Sequence, residues 1–263
     1  MSNVQDTEIR KTFFRYREAL TQRQRLTRLL HPERMSWKGG EVPTHSEATL
    51  VRIEAMDEMG LGEGFLERME GIETESRKHL EGLAGEHPLG RHFEELKGLG
   101  MFLCGAFVAA GGDIERAATV TKFWAGMGLD IVIIEKDGIQ MGVAPRRIRP
   151  DAPIGKELRQ ALGDRHLPAL PFVTTVGEMI RQQMVKAQGK LAERYYAYKE
   201  ASPTDWNKMH RHKHALWLTQ KLLYACLWRE WRLGRGLEAP DPYAFALLKH
   251  DGGHLVRIAD LYG

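Results

Sequence analysis

The stretch at residues 93–113 constrains the fold of this chain most strongly, because two glycines interrupt an otherwise helical pattern. It reads FEELKGLGMFLCGAFVAAGGD. A short amphipathic segment ends at Lys97, residues 98–100 follow as Gly-Leu-Gly, and apolar residues at helical spacing run from Met101 to about Ala110. Glycine permits a tight turn that larger side chains would block. The pattern therefore predicts a helix-hairpin-helix.

Such a hairpin exposes backbone N–H groups at the start of its second helix, where the helix dipole also favours negative charge. That geometry holds a nucleic-acid backbone without reading the bases. A plain turn between two helices is the alternative, since Gly-hydrophobic-Gly is a short pattern. The candidate phosphate contacts in this stretch are Lys97, Gly98, Leu99, Gly100 and Met101.

The remaining sequence predicts a mainly α fold with two parts. Residues 1–85 form a helical, coiled-coil-like arm, in which a basic first helix over residues 9–30 precedes helices at about residues 46–59 and 65–83. Residues 86–263 form a helical domain that contains the helix-hairpin-helix. In this second part, the pattern from Ile131 to Val143 predicts one short β-hairpin, whereas residues 176–199 and 210–233 predict long helices.

Charge is distributed unevenly along the chain, although the formal net charge is only +3. Residues 47–90 contain eleven Asp or Glu against four Lys or Arg, a local charge of −7. Residues 177–236 contain twelve Lys or Arg against five Asp or Glu, a local charge of +7. The asymmetry indicates one surface that suits a polyanion and another that would repel it.

Two further basic segments are candidates for phosphate contact. Three arginines between two prolines cannot lie inside a helix, so they are predicted on an extended loop. A second cluster begins the last long helix. A salt-bridged or solvated surface is the alternative for both. The residues concerned are Arg146, Arg147 and Arg149 in the loop, and Lys208, Arg211 and Lys213 in the cluster.

His210, His212 and His214 interrupt the second cluster as H-x-H-x-H, yet only His210 and His214 share a helix face. Because no third ligand lies nearby in sequence, we predict no metal site and no cofactor.

Cys104 and Cys226 lie in apolar helical runs, which predicts buried thiols in a reducing compartment. The longest apolar run has ten residues, about half the length that a bilayer requires. We therefore expect a cytoplasmic, nucleoid-associated protein without a membrane partner.

The order of these motifs resembles the C-terminal two-thirds of the insertion-sequence transposases that join a RuvC-like DEDD nuclease domain to a helical transposase domain. The resemblance covers about Thr7 to Val143. It rests on the basic arm YREALTQRQRLTRLL, on HPLGRHFEELKGLG and on AAGGDIERAATVTKFWAGMGL, with matching residues Gly98, Gly100, Gly112, Asp113 and the run from Gly126 to Leu129. In that family the stretch around Gly98 is the helix-hairpin-helix, and a coiled-coil arm precedes it.

The departures from the family concern its catalytic groups. The four metal-binding acids of the family's nuclease domain have no counterpart in residues 1–90, and no serine lies between Gly98 and Arg165 to serve as the family's nucleophile. We therefore predict no catalytic residues and a transposase-derived protein that binds double-stranded DNA, with a homodimer through the arm as one arrangement. The alternatives are a recombinase or nuclease subunit that needs a partner, a protein that binds structured RNA, and, because the net charge is low, an interaction scaffold that binds no nucleic acid.

Overall fold

The computed structural model describes residues 2–31, 45–59, 62–129, 132–136, 139–143, 171–241 and 256–263. Within these ranges the chain is mainly helical, which confirms the predicted fold class. The α-helices are α1 Ser2–Leu30, α2 Glu47–Glu58, α3 Glu63–Gly85, α4 Gly90–Glu95, α5 Met101–Gly111, α6 Val120–Gly126, α7 Pro171–Lys186, α8 Lys190–Glu200 and α9 Lys208–Gly234. Strands β1 Val132–Lys136 and β2 Ile139–Val143 pair antiparallel, and a 3-10 helix spans Ile258–Leu261.

Helices α1 and α3 pack side by side in opposite directions. The side-chain amide of Gln5 donates to the carbonyl of Leu83 at 3.4 Å, and Arg23 pairs with Glu73 at 2.6 Å. The basic helix of the arm therefore lies along the acidic one. Part of the charge asymmetry in the sequence is neutralised by this contact within the chain.

Helix α5 is the centre of the fold and is buried on every side from Leu103 to Ala110. It packs against α1, α3, α4 and α7. Its small residues permit this close approach: a Cβ at Gly105 would lie only 2.6 Å from the side chain of Leu80 on α3. A helix with apolar residues on all faces needs such a position, because burial stabilises each of them.

Helix α9 packs against the core and forms hydrogen bonds to the non-helical residues on either side of α6. Trp228 donates its indole N–H to the carbonyl of Ala117 at 2.8 Å, and Arg232 donates to the carbonyl of Ile114 at 3.0 Å. Trp217 donates to the carbonyl of Leu129 at 3.3 Å. Buried polar groups need such partners, so these side chains hold a non-helical backbone in place.

One hydrophobic core joins residues from both sides of the predicted division at residue 85. Ile9 and Leu80 belong to the same buried cluster as Phe107, Tyr224 and Trp231. The division into an arm and a domain stays a prediction about chain organisation. The arm nevertheless contributes directly to the core that positions the hairpin.

Three element boundaries differ from those expected from sequence. The helix expected over residues 176–199 is divided into α7 and α8 by a turn that includes Gln188, whose φ is 52°. The sequence predicts a helix over residues 114–126 capped by Asp113, but Asp113 accepts from the amide of Glu115 in a turn and helix α6 begins later, with Thr119 as its cap. A helix is also predicted over residues 255–262, where the structure has the 3-10 helix Ile258–Leu261.

Candidate nucleic-acid interface

The hairpin between α4 and α5 lies at the surface with its apolar residue turned inward. Lys97, Gly98 and Gly100 are exposed, whereas Leu99 is buried in the core. Gly98 has a φ of +82°, a conformation that L side chains rarely adopt. A Cβ at this position would lie 2.4 Å from the Cβ of Ala187. Both the backbone conformation and the packing therefore require glycine here.

Gly100 has a different role, because its backbone is extended and an added Cβ would meet no atom within 4 Å. It is the N-cap of α5, and its carbonyl accepts from the amides of Leu103 and Cys104. Within the described residues, the amides of Gly100, Met101 and Phe102 donate to no acceptor. These N–H groups at the positive end of the helix dipole are available to an anion.

Backbone contacts from the end of the chain hold the hairpin in place. The amide of Gly263 donates to the carbonyl of Glu95 at 3.2 Å, and its carbonyl accepts from the amide of Lys190 at 3.3 Å. Residue 263 thus bridges α4 and α8. The hairpin is fixed on three sides by the core, by the turn at Ala187 and by this bridge.

Three lysines lie around the hairpin, of which the sequence predicted only Lys97. Lys186 precedes Ala187, which touches Gly98, and Lys190 follows Gly189, which packs against the Lys97 side chain. All three lysines are exposed. Lys190 pairs with Glu193 at 3.0 Å, a surface pair of small net energy. The sequence signal that could have found Lys186 and Lys190 is the Gln-Gly break within a basic helical run.

The basic cluster at the start of α9 contains two exposed lysines and one arginine that forms a hydrogen bond within the chain. Lys208 and Lys213 are exposed. Arg211 is half-buried and donates to the carbonyl of Lys199, at the end of α8, at 2.9 Å. Arg211 therefore fastens two helices together. The predicted contacts at Arg146, Arg147 and Arg149 lie outside the described residues.

The three histidines of the H-x-H-x-H run each meet an aromatic neighbour. His210 stacks on Trp206 with ring centroids 4.0 Å apart, and His214 meets Trp206 edge-on. His212 accepts or donates a hydrogen bond with the Tyr195 hydroxyl at 2.7 Å. Among the residues that the structure describes, no three His, Cys, Asp or Glu side chains are grouped so as to hold a metal ion.

Comparisons of the chain with family models, curated proteins and solved structures return no match. In the described part of the chain, no helix is both long and apolar enough to cross a bilayer. The transposase resemblance therefore rests on the sequence motifs around Gly98 and Gly112 alone.

Proposed function

We propose that this chain is a non-catalytic, transposase-derived protein that binds the sugar-phosphate backbone of double-stranded DNA with little sequence preference. The observation that carries the proposal is the hairpin at residues 97–101, in which Lys97, Gly98 and Gly100 are exposed. Three amides at the start of α5 have no partner among the described residues, and exposed Lys186 and Lys190 adjoin residues 187 and 189, which pack against the hairpin. Amides and lysines together suit phosphate oxygens, and neither reads a base edge.

The other predicted contacts belong to the same proposal. Lys208 and Lys213 are exposed on α9 and would each add a phosphate contact, as would the loop with Arg146, Arg147 and Arg149. The protein would act in the cytoplasm on the nucleoid. Pairing of two copies through the arm would have to use exposed residues such as Val4, because Ile9 and Phe13 are already buried within one chain.

Fluorescence anisotropy with two labelled duplexes of equal length and unrelated sequence tests the proposal. We expect similar affinity for both, and a linear fall of log K with log salt concentration at about 0.9 per phosphate neutralised. Replacing Lys97 by Gln removes one phosphate contact and should therefore reduce the magnitude of that slope by about 0.9. Binding that is unaffected by salt, or confined to one sequence, would contradict the proposal.

Competition between duplex DNA and duplex RNA of equal charge separates the DNA proposal from the RNA alternative. The two duplexes differ in groove shape and in the 2′-hydroxyl. Displacement of labelled DNA by a lower concentration of RNA than of unlabelled DNA would favour the RNA alternative. The reverse order supports binding to DNA.

A further inference from the structure

A cavity of about 390 Å³ lies between α7 and α9, apart from the hairpin. One wall is a single face of α7 with Thr174, Glu178 and Arg181. The other wall is a single face of α9, where Met209 and Leu216 flank His212 and Lys213. A volume of this size falls within the range of small-molecule sites, roughly 300–1,000 Å³.

Three side chains that line the cavity carry nitrogen atoms: Arg181 on α7, and His212 and Lys213 on α9. The Nε atom of Arg181 is buried and has no hydrogen-bond partner in the described part of the chain. Lys213 is exposed and forms no ion pair with any described residue. The Nδ1 atom of His212 is engaged by Tyr195, which leaves Nε2 as the ring nitrogen for a ligand. Nitrogen-bearing side chains from two helices thus line one space, and the direction of the bond between His212 and Tyr195 decides whether Nε2 donates or accepts.

A single carboxylate opposes these nitrogen atoms. Glu178 pairs with the Nη2 atom of Arg181 at 2.8 Å, while its side chain remains 52% exposed. Because the Glu178 side chain is half in water, an oxyanion in the cavity could take the place of its carboxylate at the Nη2 atom of Arg181, in the charge-assisted contact that suits guanidinium.

We infer that this cavity is a binding site for a phosphate monoester. A phosphate offers enough oxygens for Arg181, His212 and Lys213 together, and the apolar side chains of Met209 and Leu216 leave room for the group that carries it. The phosphate could belong to a small metabolite or to the 5′ end of a nucleic-acid strand. The inference goes beyond backbone binding at the hairpin and does not depend on it.

Titration calorimetry on the full chain without duplex DNA tests the inference, with inorganic phosphate, adenosine monophosphate and adenosine as probes. We expect both phosphates to bind and adenosine not to bind. Loss of a charge-assisted hydrogen bond in Lys213→Gln or Arg181→Gln should weaken binding by roughly tenfold or more. Glu178→Gln should strengthen it, because the competing carboxylate is removed.

Lys122→Gln is the matched control, since Lys122 is exposed on α6 and lies outside the cavity lining. Circular dichroism of each variant checks the fold, and Glu178→Gln keeps the inference testable if Arg181→Gln does not fold. A strand with a 5′-phosphate that binds more tightly than its 5′-hydroxyl form identifies the strand end as the source, whereas equal binding identifies a small ligand. Absence of phosphate binding, or equal weakening by Lys122→Gln, overturns the inference.

Discussion

At the scale of single residues, the two glycines of the hairpin have different structural roles. Gly98 needs its positive φ and touches Ala187, whereas Gly100 has an ordinary extended backbone with open space around it. The sequence shows both as the same residue type in one motif. Only the structure separates a glycine that the fold requires from one that leaves the amides accessible.

We predict that Gly98→Ala destabilises the chain by about 1–3 kcal/mol, because the new Cβ meets Ala187 in a strained backbone conformation. Gly100→Ala should change the free energy of unfolding far less, since its Cβ meets nothing. Urea unfolding monitored by tryptophan fluorescence measures both variants. Equal loss of unfolding free energy in the two variants would contradict a specific requirement for glycine at residue 98.

The two cysteines provide a second residue-scale prediction. Burial raises the pKa of the Cys226 thiol to about 12 and raises the pKa of Cys104 as well. Since the thiolate is the reactive form, we expect both thiols to react slowly with a disulfide reagent at pH 8 in the folded chain. In denaturant both should react at once. Rapid reaction of either thiol in the folded protein would contradict its buried position.

At the scale of elements, a buried polar cluster of Asp6, His87 and Arg235 joins helix α1 to the α3–α4 turn and to the end of α9. The His87 Nε2 atom lies 3.1 Å from Asp6 of α1, and its Nδ1 atom accepts from the amide of Leu89 at 3.1 Å. Arg235, just after α9, also pairs with Asp6. Because Nδ1 accepts, His87 is held neutral with its proton on Nε2. Asp6 thereby connects α1 with His87 in the α3–α4 turn and with Arg235 at the end of α9.

This cluster predicts loss of stability in acid. Burial lowers the pKa of His87, and likewise of His92, below the ordinary value of 6.5. The folded chain therefore binds fewer protons than the unfolded chain, so the stabilisation is full above pH 6.5 and declines as pH falls through the folded-state pKa values. Urea unfolding from pH 8 to pH 5 should show the decline, and His87→Gln should flatten it. An unchanged slope in that variant would exclude His87 as a cause.

The element scale also shows what could be predicted from sequence. The apolar residues of 101–110 and the pattern of 210–233 predicted helices, and α5 and α9 lie there with Cys104 and Cys226 buried as expected. The break between α7 and α8 was missed, although Gln188-Gly189 is a local signal for it. What the local pattern could not show is that this turn packs against Gly98, far away in the chain. That contact is what makes Lys186 and Lys190 candidates.

At the scale of the whole molecule, helix packing brings part of the acidic segment of the sequence against a basic one. The acidic segment of the sequence lies partly against the basic first helix, as the pair of Arg23 and Glu73 shows. The basic residues of the later segment include exposed Lys186, Lys190, Lys208 and Lys213. Exposed basic residues also lie on α1, at Lys11, Arg15, Arg25 and Arg28. The arm therefore contributes both to the core that places α5 and to the basic surface of the described residues.

The most direct test of the account is a pair of glycine variants measured for duplex binding by anisotropy. Gly100→Glu adds a negative side chain beside the free amides without steric conflict, and Gly64→Glu adds the same group at an exposed position of α3 where a Cβ also meets nothing. If the hairpin binds phosphate, Gly100→Glu should lower affinity by roughly tenfold or more, as expected for lost charge-assisted contacts. Gly64→Glu should have little effect. Equal affinity of the two variants would contradict the proposed role of the hairpin.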